Sequence, residues 1–385
     1  MFESDSRQSS IAPKIFIGLL VLEVALMVPA STSAQTWVWT TETVDNSAKA
    51  TSLAADDSGN IHMSYGNDEG GLKYAFRSVG TSRWFTMNVA SKGVNYTAIV
   101  VDKRGNPHIC ATYLRLTYAY FDGEKWNAQE IAPDLADIGY SCSLAISPDG
   151  IPHLAWYKVA NADNSPYTHL KYTILEDNAW VIRTVDFDPQ TGKWNSMALD
   201  SQGSPYVCYD GWVNGDLKYA HWDGKSWHIR VVDSRRPTVY NLGMGNSIFF
   251  DPRGNLHVSY YAENTVVYAR QKNDSWTRLT VDKVTSTGSW TGWRSTLVVD
   301  STGAPHISYE DGGRLKHAFW DGKLWNIQVI APGGANPHRY HSMTIDKEDT
   351  LYISYRDPSD GSLKVAIGRR SGPAQTAGIK EKNND

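Results

Sequence analysis

Residues 295–330 read STLVVDSTGAPHISYEDGGRLKHAFWDGKLWNIQVI, and the fold follows from finding this stretch several times over. It opens on an inner strand, STLVVD, continues after a Gly-containing turn with PHISY from Pro305, and ends in a strand begun by Trp325. Short apolar segments bounded by turn residues are the mark of an antiparallel meander rather than of strands alternating with helices. Related segments recur along the chain. Ser52 and Ser196 open copies of the first strand, Leu256 opens a copy of the second, and LKYA at Leu72, Leu170 and Leu217 forms the third.

An Asp-x-x-Gly-x-x-His anchor recurs around Gly59, Gly105, Gly150, Gly203, Gly254 and Gly303, with Asp349 in the glycine place of a seventh copy. The copies are about 48 residues apart, the length of one four-stranded propeller blade. Each fourth strand begins at a tryptophan: Trp84, Trp126, Trp180, Trp227, Trp276 and Trp325. The seventh copy ends at Ile367 without one. Its counterpart stands at the other end of the chain, where Trp39 to Asp45 matches Trp276 to Asp282 and Trp180 to Asp186. The sequence therefore predicts an all-β, seven-bladed β-propeller of four-stranded antiparallel blades over residues 36–367. The N-terminal strand joins the last blade and closes the ring, which removes open sheet edges.

Outside the ring, residues 1–34 hold an apolar run from Ile15 to Val28 and a small-residue stretch to Ala34. They read as a signal peptide, with an uncleaved N-terminal anchor as the alternative, and so predict a secreted or periplasmic protein. Residues 368–385 are polar and read as a disordered tail. A net charge of −4 gives no footprint for nucleic acid, and no membrane partner is implied beyond the N-terminal segment. Three cysteines make no disulfide framework. Cys110 and Cys208 take a register held elsewhere by Ser64, Ala155, Ser259, Ser308 and Ser354. Free buried thiols are expected for all three, with a Cys110–Cys142 bridge as the alternative. No zinc-type or EF-hand spacing and no phosphate loop occurs, so neither metal nor cofactor is expected.

Repetition separates frame from site. His62, His108, His153, His257 and His306 share one strand position, with Tyr206 and Tyr352 replacing them in two copies. A residue needed in five blades is a hydrogen-bonding fixture, not a catalytic group. Asp-Gly-x-x-Trp at Asp122, Asp223 and Asp321 suits a tight hairpin. This turn resembles the Asp-box (BNR repeat) of the sialidase-like propeller superfamily, without its leading serine. Units such as Leu217-Lys-Tyr-Ala-His-Trp-Asp-Gly-Lys-Ser-Trp227 are similar to the repeats of fucose-binding propeller lectins. The resemblance implies the fold and a sugar-binding possibility, and carries over no ligand residue.

Variation is concentrated in the loops entering each inner strand and in those between second and third strands, which share one rim. Read just before each inner strand, the sequence offers Tyr96, Tyr140, Trp194, Asn195, Trp290, Trp293, Arg294, Arg339 and His341 as candidate ligand-binding residues. Flat aromatic faces stack on sugar rings, and arginine forks bind carboxylates or sulfates. The expected function is recognition of a glycan or other extracellular polymer. The alternative enzyme is a polysaccharide lyase: seven-bladed lyases of acidic polysaccharides use His, Tyr and Arg, which implies roles for His341, Tyr340, Arg339 and Arg294. Adjacent strand residues face opposite ways, so that run cannot all serve one site. A sialidase is disfavoured because no Arg-Ile-Pro signature occurs. A protein-interaction scaffold is the third class.

Overall fold

The computed structural model describes residues 36–91, 94–113, 115–131, 138–158, 169–211, 215–234, 244–285, 294–333 and 340–371, with backbone alone for 138–140 and 244. Seven four-stranded antiparallel sheets form the blades of a propeller. The inner strands are Thr51–Ala55, Tyr96–Val101, Ile138–Ile146, Thr191–Leu199, Met244–Phe250, Ser295–Val299 and Ser342–Ile345, which begin blades one to seven. Apolar side chains of the first three strands of each blade pack against the next blade. One such layer joins Leu217 and Tyr219 of blade four to Ile248 and Val258 of blade five.

The Asp-x-x-Gly-x-x-His anchor is a hydrogen-bond relay. Gly59 takes the left-handed conformation (φ 82°) that the turn requires. Asp56 accepts the backbone N–H groups of Ser58 and Asn60. His62 Nε2–H donates to Asp56 at 3.2 Å, and the Tyr74 hydroxyl donates to His62 Nδ1 at 2.7 Å. The same chain links Asp251, His257 and Tyr268. Burial holds both histidines below their ordinary pKa, so they stay neutral. Each relay tyrosine then meets edge-on the outer-strand tryptophan of the following blade, as in Tyr74–Trp126, Tyr118–Trp180 and Tyr172–Trp227 at 5.0–5.1 Å. The repeated His and Trp are thus parts of one inter-blade joint.

Closure takes the expected form, with Trp37–Asp45 pairing antiparallel to Leu363–Arg370 as the outer strand of blade seven. Trp39 continues the tryptophan series, its ring 5.1 Å from that of His317 in blade six. The ring extends beyond the boundary at Ile367 that the sequence suggested, because Gly368, Arg369 and Arg370 pair with Trp39, Val38 and Trp37. Arg370 also ion-pairs with Asp300 in blade six and lies over the Trp37 ring. Residues 368–370, expected as the start of a disordered tail, are thus strand, while 1–35, which hold the signal-peptide expectation, and 372–385, the rest of the expected tail, lie outside the described residues.

Outer-strand aspartates provide a second joint. Asp45, Asp186, Asp233 and Asp282 lie at or just beside the ends of their outer strands and accept the hydroxyls of Tyr65, Tyr209, Tyr260 and Tyr309 in the next blade, at 2.6–2.8 Å. Lys73, Lys218 and Lys316 join three of these pairs.

Candidate functional site at the channel mouth

Three consecutive positions on the inner strands have different tasks. Counting back from the core residue that is Leu53 in blade one and Leu297 in blade six, the residue just before it is usually Ser or Thr. Its hydroxyl accepts a backbone N–H from the next blade: Ser52 from Ile99, Ser196 from Ile248, Ser247 from Leu297 and Ser342 from Leu53. Two before, the side chain reaches back to the preceding blade, as Thr97 does to Ser64 and Ser295 to Ser259. Three before, the series is Ala50, Tyr96, Ser141, Trp194, Gly245, Arg294 and Tyr340. All of these but Ala50 line a cavity of about 190 Å³ at the axis of the ring.

Among the described residues the mouth therefore carries three aromatic side chains and one cation, with small residues between them. Tyr96 meets the Tyr340 ring at 5.4 Å, nearly perpendicular, and the Trp194 ring at 6.2 Å. Trp194 reaches this place through a strained backbone, with φ 53° in an inner strand whose register shifts on both sides of Lys193. Gly192 makes the bulge possible: at φ 102° a Cβ there would lie 2.7 Å from Leu170 Cβ. A bulge that aims one bulky side chain is a recurrent feature of ligand sites.

Arg294 is the charged member. Burial pulls its pKa below the ordinary value, and the opposing influences come from Tyr96, Cys142 and Tyr340, none of them a carboxylate. Among the described residues no carboxylate forms an ion pair with this guanidinium. A cation held in a partly dehydrated mouth, with no carboxylate partner among the described residues, is costly to the empty protein and favours an anionic ligand.

Of the candidates read from sequence, Tyr96, Trp194, Asn195, Arg294 and Tyr340 come together here. Asn195 sits two before the core residue and serves structure, accepting from Ser143 and donating to Ser141 and the Gly192 carbonyl. His341 does not join the mouth. It is fully buried and its Nε2 donates to the Ser308 carbonyl at 3.1 Å. The alternation of the strand turns it toward blade six while Tyr340 faces the channel. The Tyr140 side chain and Trp290, Trp293 and Arg339 lie outside the described residues. Among those described, no group of three His, Cys, Asp or Glu side chains is placed to hold a metal.

One carboxyl on the loop side escaped sequence reading. Asp210 is 3 % exposed, and burial pushes its pKa up to about 8 against the opposing pull of Lys193, its cross-strand neighbour. Lys193 also lies 5.8 Å from the Tyr157 ring centre. The folded state prefers the protonated acid, so stability is greatest below the ordinary value of 3.8 and falls as pH rises toward about 8. Asp210→Asn should therefore melt above the parent by a margin that widens by roughly 5 °C between about pH 5 and pH 8. Parallel melting-temperature profiles of the two proteins over that range would contradict this.

No family model and no curated protein matches the chain. Solved structures share its fold. BP39L lectin from Burkholderia pseudomallei aligns over 86 % of this chain and 99 % of its own, with TM-score 0.61 and 13 % identity. A variant of Aleuria aurantia lectin in complex with alpha-methyl-L-fucoside aligns over 76 % and 98 %, with TM-score 0.51 and 14 % identity. The polysaccharide lyase Uly1 aligns over 85 % and 98 %, with TM-score 0.50 and 10 % identity. These likenesses establish the propeller fold.

Proposed function

We propose that this protein is a glycan-recognition module whose channel mouth takes one acidic sugar unit, a uronate or a sulfated residue, of an extracellular polymer. The observation that carries the reading is Arg294, a cation without a carboxylate partner among the described residues, lining one cavity with Tyr96, Trp194 and Tyr340. The guanidinium supplies a fork for carboxylate or sulfate, and the aromatic faces supply apolar surface for the C–H side of a sugar ring. Lectins among the structures of like fold support the class of ligand. Export belongs to the same proposal and rests on the apolar run and small-residue stretch of residues 1–34.

Titration calorimetry of the whole chain against a polyuronate, a sulfated galactan and a neutral glucan tests the reading. Binding to an acidic polymer that weakens with added salt, with none to the glucan, is the expected result. Equal binding to all three, or none to any, overturns it. A second reading, the lyase, draws on Arg294 facing two phenols: the cation would neutralise a uronate while a tyrosine exchanges the proton. Loss of His341 as its base weakens that assignment. Appearance of unsaturated products in the same mixtures, followed by ultraviolet absorbance, separates enzyme from binder.

A further inference from the structure

The residues two before each core position form a ring of contacts between neighbouring blades. Thr51 meets Ser354, Thr97 meets Ser64 and Ser295 meets Ser259, each hydroxyl to hydroxyl at 2.7–3.0 Å. Between blades two and three both members of this contact are cysteines. Cys110 Sγ lies 2.6 Å from Cys142 Sγ, within the reach of sulfur–sulfur bonding and across a contact that joins separate sheets. Cys208 occupies the Cys110 position in blade four, but its opposite number in blade five is Asn246. The arrangement thus pairs two of the three cysteines and leaves the third alone.

We propose that Cys110 and Cys142 are a thiol–disulfide site, oxidised from the channel to a covalent staple between blades two and three. Cys110 is fully buried, whereas Cys142 lines the channel cavity and lies within the electrostatic reach of Arg294. Burial holds the Cys110 thiol well above its ordinary pKa and away from the cavity, so the first attack belongs to Cys142, the sulfur that a small oxidant can meet. Its sulfur attacks a low-molecular-weight disulfide, forming a mixed disulfide and expelling one thiolate, which takes up the proton Cys142 gave away. Cys110 then loses its proton and attacks the Cys142 sulfur, expelling the second thiol. Two protein thiols become one disulfide, and one small disulfide becomes two thiols. The bond closes a loop between residues 32 apart in sequence and constrains the unfolded chain accordingly.

The test uses the whole chain, reduced, desalted without oxygen and incubated with bis(2-hydroxyethyl) disulfide, a probe of a size suited to the cavity. After alkylation under denaturing conditions, a non-reducing peptide map should show the Cys110 and Cys142 peptides joined and Cys208 alkylated. Oxidised protein should melt roughly 5 °C above reduced protein. The double variant C110S/C142S places in this joint the hydroxyl pair found at Ser259 and Ser295. It should melt near reduced parent and be indifferent to the probe. Alkylation of both Cys110 and Cys142 after treatment, or a lasting probe adduct on Cys142 alone, overturns the proposal. A bridge that leaves the melting temperature unchanged overturns its role as a staple. The peptide map stands whether or not the variant folds.

Discussion

Removing Trp37–Asp45 should leave a chain with no cooperative melting transition above room temperature. This strand serves both junctions of the last blade. Toward blade six it carries Trp37, which is 4 % exposed and packs edge-on against His306 and His317, and Trp39, whose indole N–H donates to Gln328. Toward blade one it carries Glu42, which receives two bonds from Arg77 at 3.0 and 3.1 Å and one from the Trp84 indole at 2.9 Å. Asp45 accepts from Tyr65 and Lys73. Burial of the two tryptophans is worth about 3 kcal/mol each. Leaving the buried Arg77 without its carboxylate costs about 3–5 kcal/mol more. The loss approaches the whole stability of a typical folded domain, about 5–15 kcal/mol.

Calorimetry of the truncated chain reads the outcome directly, and a synthetic peptide of residues 36–45 should restore the transition when added in excess. Glu42→Gln offers a milder variant that keeps the strand and loses the charge facing Arg77; its melting temperature should fall between those of the parent and the truncated chain. A truncated chain that melts cooperatively within a few degrees of the parent would show that the strand is an ornament and that six complete blades hold the ring.

The outer strand was legible because Trp39 to Asp45 repeats an internal pattern, and the pattern carries its own register. The same comparison showed the histidines to be fixtures, and the relay through Asp56, His62 and Tyr74 gives the chemical reason. Tyr96, Trp194, Arg294 and Tyr340 were legible for the converse reason, since they break the repeat at the strand entrance. His341 was misplaced by one step of alternation. Two residues before the core position points a side chain at the preceding blade, and three before points it at the channel, so counting back from Met343 separates it from Tyr340. Asp210 had no such signal. Its altered acidity arises from burial, against the pull of Lys193, and both the burial and that neighbour are fixed only by strand pairing and packing. The aspartates ending the outer strands are visible as a repeated Val-Asp, but their tyrosine partners lie in another blade, 20–27 residues away.

Arg294→Ala should lower the affinity for an acidic polymer by roughly 100-fold while leaving the melting temperature unchanged or raised. The two effects have one cause. The guanidinium occupies a mouth where burial lowers its pKa and no described carboxylate answers it, so the empty protein loses little when the charge is removed. The bound complex loses charge-assisted hydrogen bonds worth about 1.5–3 kcal/mol each, and the lower end of that range for a bidentate pair, about 3 kcal/mol, corresponds to the stated loss. Arg294→Lys keeps the charge without the fork and should retain intermediate affinity. Trp194→Ala removes apolar surface and not charge. It should weaken binding at all salt concentrations alike, whereas Arg294→Ala should flatten the salt dependence itself. Calorimetric titrations at two ionic strengths, paired with melting curves, distinguish these cases. If Arg294→Ala binds as the parent does, the mouth is not the anion site. If affinity and melting temperature fall together, Arg294 is a structural cation whose counter-charge lies outside the described residues, and the aromatic ring around it would be packing for the channel rather than a platform for a sugar.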